Sequence, residues 1–400
     1  MIIFFVWLNS NILFPGQFSE FKTGTSFILV LTGTWTIIRT GIVPNFKIIG
    51  FLIIFEILAS LSIWYGESNG FILSDIKSVF LMRPIIILLI ISNFDIRSDK
   101  KIFFRIIDLS AIVLVLYNFV YVMGALGVFP QLLFWELDNG NVTNTSTTFI
   151  AARLTNQSAL TFFLPYLAVR LENHHQKVDF YWIAFVLGII ASLLSGRRIV
   201  QIVAITVVVY VVGRLNNFSI DSFIKVILRV IVLSTLILIL GSFLSSLIGI
   251  QNIFVTIYKT IADAFSSDAA SSIIRSTQSR YLLNGWLEHP FFGQGLNSYT
   301  EEYIRNYNSP WSYEYVYYAF LYQVGIVGVA FLLIIVIGIA IPIAYNRLDN
   351  TSKSILVGFI FFLIAAATNP MFTNMWIWTI MLLGFEFAKK DSLLREKISV

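Results

Sequence analysis

The sequence has no cysteine, which excludes disulfides, thiolate catalysis and iron–sulfur ligation. It has only 3 histidines, little from which to build a His metal centre. Charge is scarce as well. Asp, Glu, Lys and Arg make up 12% of the 400 residues, against roughly 25% in a soluble domain, and a water-facing surface cannot be built at that density. The net charge of +5 is spread along the chain, and no Lys/Arg run is dense enough to form a nucleic-acid face. What the chain has in quantity is apolar: 57% hydrophobic residues and a mean hydropathy of +0.82. This is the composition of an integral membrane protein. About twelve spans of about 20 residues each leave room for loops but for no separate soluble domain. Residues 1–400 therefore read as a single polytopic membrane domain, all-α in class.

Apolar runs lie near 2–15, 25–42, 48–65, 79–93, 106–128, 150–171, 180–195, 199–213, 226–249, 313–344, 355–370 and 375–388. In lipid each can close its backbone hydrogen bonds only as a helix. The first run lacks a basic flank and a small-residue cleavage site, so it reads as a short first span and not as a removable signal. Orientation follows from the bases. One set of alternating loops holds Lys47, then Arg97 to Arg105, then Arg170 and Lys177, Arg214 to Arg229, Arg347 and Lys353, and Lys389 to Lys397. These are most of the 27 Lys and Arg residues. That side is the cytoplasm, and both termini fall on it. The outer side concentrates its bases at Arg197-Arg198 and in the long polar stretch 251–312. Loops longer than about 15 residues are usually functional or disordered, and Trp286, Pro290, Phe291 and Phe292 favour a folded one here. A second outer loop, 131–149, is rich in Asn and Thr. No internal repeat is visible, which weighs against an inverted-repeat transporter.

The candidate chemistry gathers on the outer side. Arg197 and Arg198 close one span and open the next, where they either snorkel to headgroups or bind an anion. Arg153 opens the span 150–171 beside Thr155, Asn156 and Gln157, with the same two readings. Arg275 and Arg280 lie in the long loop; solvation is the default for Arg275. A guanidinium is nonetheless the natural clamp for a pyrophosphate, since its planar fork bonds two oxygens and never loses its charge. Glu314 stands at the mouth of a long apolar span. Desolvation there favours the proton-bound form of a carboxylate, which suits a general base; the competing reading is a helix N-terminal carboxylate. Trp286, Trp311, Tyr313 and Tyr315 either stack on sugar rings or anchor the interface. Gly325 and Gly328 allow close helix packing.

Three stretches resemble the O-antigen polymerase and ligase superfamily of bacterial membrane glycosyltransferases. Leu194-Ser-Gly-Arg-Arg198 resembles its small-residue–Arg motif. Arg280-Tyr-Leu-Leu-Asn-Gly-Trp286, continuing through Pro290-Phe-Phe-Gly293-Gln-Gly295, resembles its Arg…Trp…Pro-x-x-Gly-x-Gly signature. Tyr313-Glu314 through Gly325-Ile-Val-Gly328 resembles the segment that closes the outer loop. The resemblance implies about twelve transmembrane helices in the bacterial inner membrane and an active site capped by residues 251–312. Its substrates would be glycans on undecaprenyl pyrophosphate, with no metal or other cofactor and with a chain-length regulator as a further partner. Arg198 and Arg280 would hold the pyrophosphate, with Arg153, Arg275 and Arg197 as further candidates. The ligases carry a His-Asn pair where Glu314-Tyr315 stands here, and this departure favours the polymerase over transfer to lipid A–core. A flippase is the rival of another class; it would need charge near the bilayer midplane, for which Arg83, followed by Pro84 in the run 79–93, is the best residue, whereas the other candidate charges gather at the outer face.

Overall fold

The computed structural model describes residues 1–41, 46–72, 74–95, 98–125, 142–146, 149–152, 154–171, 179–195, 197–215, 270–304, 307, 309–345, 350–369 and 371–398. The chain divides into two compact units. The first comprises Met1–Asn11, Phe18–Ile107 and Ala270–Val400, and the second Ile12–Gln17 and Asp108–Ala269. The expected span 226–249 and loop residues 131–141 and 251–269 lie outside the described residues, as does Arg153.

The first unit is built from most of α1 (Ile2–Leu13), α2 (Ser19–Thr40), α3 (Phe46–Ser68), α4 (Ser74–Lys77), α5 (Arg83–Ile91) and the start of α6 (Lys100–Ala125). After the second unit, the chain returns to it with α10 (Ala270–Glu288), α11 (Val316–Tyr345), α12 (Asn350–Ala366) and α13 (Met375–Ile398). Three helical stretches among the described residues are long and apolar enough to cross a membrane: Ile48–Ser68, Lys100–Gly124 and Val316–Ala344. Ile2–Leu13, Val79–Ile91, Phe180–Leu193, Thr351–Ala366 and Met375–Ala388 are apolar but shorter. The helices thus have the character of a membrane protein. In α2, the hydroxyls of Thr25, Thr32, Thr34, Thr36 and Thr40 donate to backbone carbonyls one turn earlier. Such back-bonding satisfies a hydroxyl that has no water to bond.

Close approach between helices is made where side chains are small. A Cβ on Gly33 would overlap the carbonyl of Leu89, so α2 and α5 touch backbone to backbone. Asn93 then donates to the carbonyl of Leu29 at 2.8 Å. Between α4 and α5 the helix widens into a π turn, Ser78–Met82, immediately ahead of Pro84. A proline has no N–H for the carbonyl one turn back, and a wide turn is one way for the helix to absorb the lost bond.

The second unit contains the rest of α6, a hairpin, α7 (Leu160–Leu171), α8 (Phe180–Leu193) and α9 (Arg198–Leu215). A short hairpin stands within the otherwise all-helical architecture and takes the first residues of the expected span 150–171. Val142–Ser146 pairs antiparallel with Phe149–Ala152, with Val142 opposite Ala152. A 3₁₀ turn, Thr155–Ala159, follows, and α7 begins only at Leu160. The apolar run Phe149–Ala152 is strand-length, and the polar residues up to Ser158 cut it off from the apolar run beyond. Within the unit, Asp108 ties α6 to α7 and α8. It accepts from Tyr166 at 2.6 Å and Tyr181 at 2.8 Å, and Arg170 donates to both of its oxygens at 3.1 and 2.7 Å.

Candidate active site

The described part of the long loop is not a free-standing lid. It begins as helix α10, whose faces differ. Gln278, Leu282 and Gly285 recur at helical spacing and turn inward. Gln278 is 1% exposed, and its Oε1 accepts the backbone N–H of Tyr315 at 3.1 Å. Leu282 is buried with Tyr313, Ala319 and Tyr322, and a Cβ on Gly285 would press on the Tyr322 ring. Arg275 lies one turn before Gln278, and its Nε donates to Oε2 of Glu314 at 2.8 Å. The inner face of α10 therefore grips residues 313–315 at two points, one side chain to side chain and one side chain to backbone.

After α10, the turn His289–Gly295 docks on a break in α11. Gly325 adopts φ 63° and ψ −172°, a conformation essentially confined to glycine. The break frees backbone groups that the turn then satisfies. Ile326 and Val327 donate to the carbonyls of Pro290 and Phe291 at 2.9 and 3.1 Å, while Gln294 and Gly295 donate to Tyr322 and Gln323 at 2.9 and 2.8 Å. A side chain on Gly293 or Gly325 would enter the partner backbone. Gly293 and Gly295 have positive φ, 65° and 105°. The two glycines of the turn and the glycine of the helix therefore form one device, not separate packing sites. Gly295 also meets Gly66 of α3, Leu296 N–H donates to Ser62 Oγ at 3.1 Å, and the Asn297 side-chain amide donates to the Phe71 carbonyl. Phe291 and Phe292 stay 65% and 70% exposed at the tip.

The other expected site residues fall into distinct places. Arg280 is exposed on the outward side of α10 and has no ion-pair partner among the described residues. Trp286 donates its indole N–H to the carbonyl of Pro290 at 3.0 Å, closing the turn. Trp311 is half-buried edge-on to Phe80, with ring centroids 5.9 Å apart. Tyr315 is half-buried against Tyr318. Tyr313 is 1% exposed and its hydroxyl accepts the Thr300 N–H at 2.8 Å, so it is a strut of the loop and presents no open ring face. Thr300 also donates to Glu302 at 2.6 Å, which holds that carboxyl below its ordinary range. Arg197 and Arg198 belong to the second unit, at the start of α9; the Arg197 N–H donates to Ser195 Oγ at 3.2 Å. Among the described residues no group of three or more acidic or His side chains could hold a metal ion.

A charge in a polar loop is expected to be solvated, which is the default for Arg275. The structure instead places it on Glu314. Gln278 did not stand out in the sequence, although a polar residue one turn from an arginine on the same helix face was the available signal. No protein-family model matches this chain, and no curated protein matches it. The site has a carboxylate oriented by one guanidinium, a second guanidinium exposed five residues further along the same helix, and the half-buried Trp311 and Tyr315 close to the carboxylate in the chain.

Proposed function

We propose that the protein is a polysaccharide polymerase in a bacterial inner membrane. It transfers a growing glycan from undecaprenyl pyrophosphate to a new lipid-linked repeat unit at the outer face. The observation that carries this reading is the Arg275–Glu314 pair, held by the same helix that displays Arg280. Arg280 binds the donor pyrophosphate and stabilises the negative charge that builds on it as it leaves. Glu314, oriented by Arg275, takes the proton from the acceptor hydroxyl. The acceptor oxygen bonds to the anomeric carbon as the bond from that carbon to the pyrophosphate oxygen breaks, and undecaprenyl pyrophosphate departs with the bonding electrons. Attack opposite the leaving group inverts the anomeric configuration. Trp311 and Tyr315 supply ring surface for the sugars. Holding two large substrates in register contributes much of the remaining acceleration.

The test is a ladder assay. Purified full-length protein is incubated in detergent with lipid-linked repeat units, without added metal, and the products are separated on a gel. The wild type forms a ladder; Glu314→Gln and Arg280→Ala lose it, by at least about 100-fold for the base. A ladder that survives Glu314→Gln removes the base. Transfer only after lipid A–core is added makes the protein a ligase.

A further inference from the structure

The first unit also holds an apolar cavity of about 110 Å³ that the reaction above does not use. Phe51 and Phe55 of α3, Ile87 of α5, Leu332 and Ile335 of α11 and Trp378 of α13 wall it. Its lining contains one cation, Arg83, and no acidic residue. One Nη of Arg83 donates to the carbonyl of Thr373, in the segment between α12 and α13, at 2.9 Å. Among the described residues the guanidinium has no acidic partner. A guanidinium carries five N–H donors, and one carbonyl occupies one of them. An arginine within an apolar helix is costly and by default marks a functional site. A second cavity, of about 30 Å³, shares Phe80, Phe372 and Thr373 with the first and continues to Trp311, Ser312 and Tyr313. Those three residues immediately precede Glu314 in the chain.

We propose that this cavity binds the acceptor substrate through its lipid phosphate. The phosphate pairs with Arg83, and the adjoining carbons of its single chain lie on the apolar walls. The inference rests on the polymerase reading, in which two lipid-linked substrates must meet. The clamp at Arg280 serves the donor, and the acceptor needs a phosphate site of its own. A lone cation among apolar walls complements an anionic amphiphile; it complements neither a neutral lipid nor a soluble sugar nucleotide. Size narrows the class further. A cavity of about 150 Å³ takes a benzene molecule, so this one accommodates a few carbons of one chain and not the paired chains of a bilayer phospholipid.

Binding tests the site without requiring turnover. Radiolabelled undecaprenyl phosphate is titrated into the purified full chain in detergent, for the wild type and for Arg83→Gln, Arg83→Lys, Leu332→Trp and Arg280→Ala. Arg83→Gln removes the charge, Leu332→Trp fills the cavity while keeping the charge, and each weakens one class of sites about ten-fold or more. Arg83→Lys restores part of that binding, and Arg280→Ala leaves this class unchanged. Farnesol and dioleoylphosphatidylglycerol compete poorly, the first lacking phosphate and the second carrying two chains. Wild-type binding in both Arg83→Gln and Leu332→Trp overturns the proposal. Displacement by phosphatidylglycerol at equal concentration also overturns it, by making the cavity a bulk-lipid site. Label lost at Arg83 with no ladder from the wild type leaves the site standing and removes the polymerase. A ladder whose acceptor KM is unchanged in Arg83→Gln removes the site and keeps the polymerase.

Discussion

Asp108 illustrates what a single buried charge costs and what it secures. Both of its oxygens are occupied by Arg170, with the hydroxyls of Tyr166 and Tyr181 added. Removing one partner of such a pair strands the other, at about 3–5 kcal/mol. Asp108→Asn should therefore lower the thermal unfolding midpoint in detergent sharply. A conservative Tyr181→Phe, which deletes one neutral donor, should cost only about 1 kcal/mol. Equal midpoints for the two variants would show that the network does not carry the charge. Gly325 is the second residue whose replacement has a definite expected outcome. Alanine there meets a backbone conformation worth about 1–3 kcal/mol of strain and a carbonyl already in the way. Gly50→Ala, in α3, where an added Cβ meets nothing within 4 Å, is the control. Loss of midpoint and of ladder formation should be confined to Gly325→Ala.

At the scale of elements, α10 works as a two-sided part. Its inner face fixes residues 313–315, and its outer face carries Arg280. Gln278→Ala leaves the half-buried Tyr315 N–H without its acceptor, a penalty of about 1 kcal/mol. Amide exchange at Tyr315 should accelerate accordingly, with exchange along α9 unchanged. Uniform acceleration across both units would instead mean that the glutamine supports the whole fold. The turn after α10 and the break in α11 form a second coupled pair. Four backbone hydrogen bonds join them, supplied by groups that a continuous helix would have spent internally. Backbone polar groups at membrane depth need partners of this kind, and the turn provides them.

At the scale of the molecule, the three long apolar helices among the described residues, with several shorter ones, fit residence in a bilayer. The protein should stay in the membrane pellet through an alkaline wash that strips peripheral proteins. The distribution of bases makes the orientation testable with reporter fusions. A reporter joined after residue 398 should be active in the cytoplasm, and one inserted near residue 307 should be active only outside. Activity of both in the same compartment would contradict the reading of 251–312 as an outer loop.

Much of this was legible in the chain itself, because hydrophobic content and periodicity act locally. The apolar runs 48–65, 180–195 and 375–388 correspond to α3, α8 and the start of α13, since a membrane-class sequence leaves the backbone few alternatives to helix. Arg280, Trp286, Glu314 and the glycine-containing turn also stood out, by charge or ring in an apolar context. Their pairing did not. Arg275 and Glu314 are separated by most of a loop, and nothing in local spacing distinguishes a solvated arginine from one bound to a distant carboxylate. The hairpin 142–152 defeated hydropathy because a strand-length apolar run resembles the start of a span. Gly325 reads as one more small residue in a transmembrane helix until the turn at 289–295 is seen against it. Composition and periodicity therefore determined where helices form and what medium they suit. Only the tertiary structure decided which charges meet, where a helix breaks and where Arg83 lines a cavity, because those outcomes depend on contacts between residues far apart in the chain.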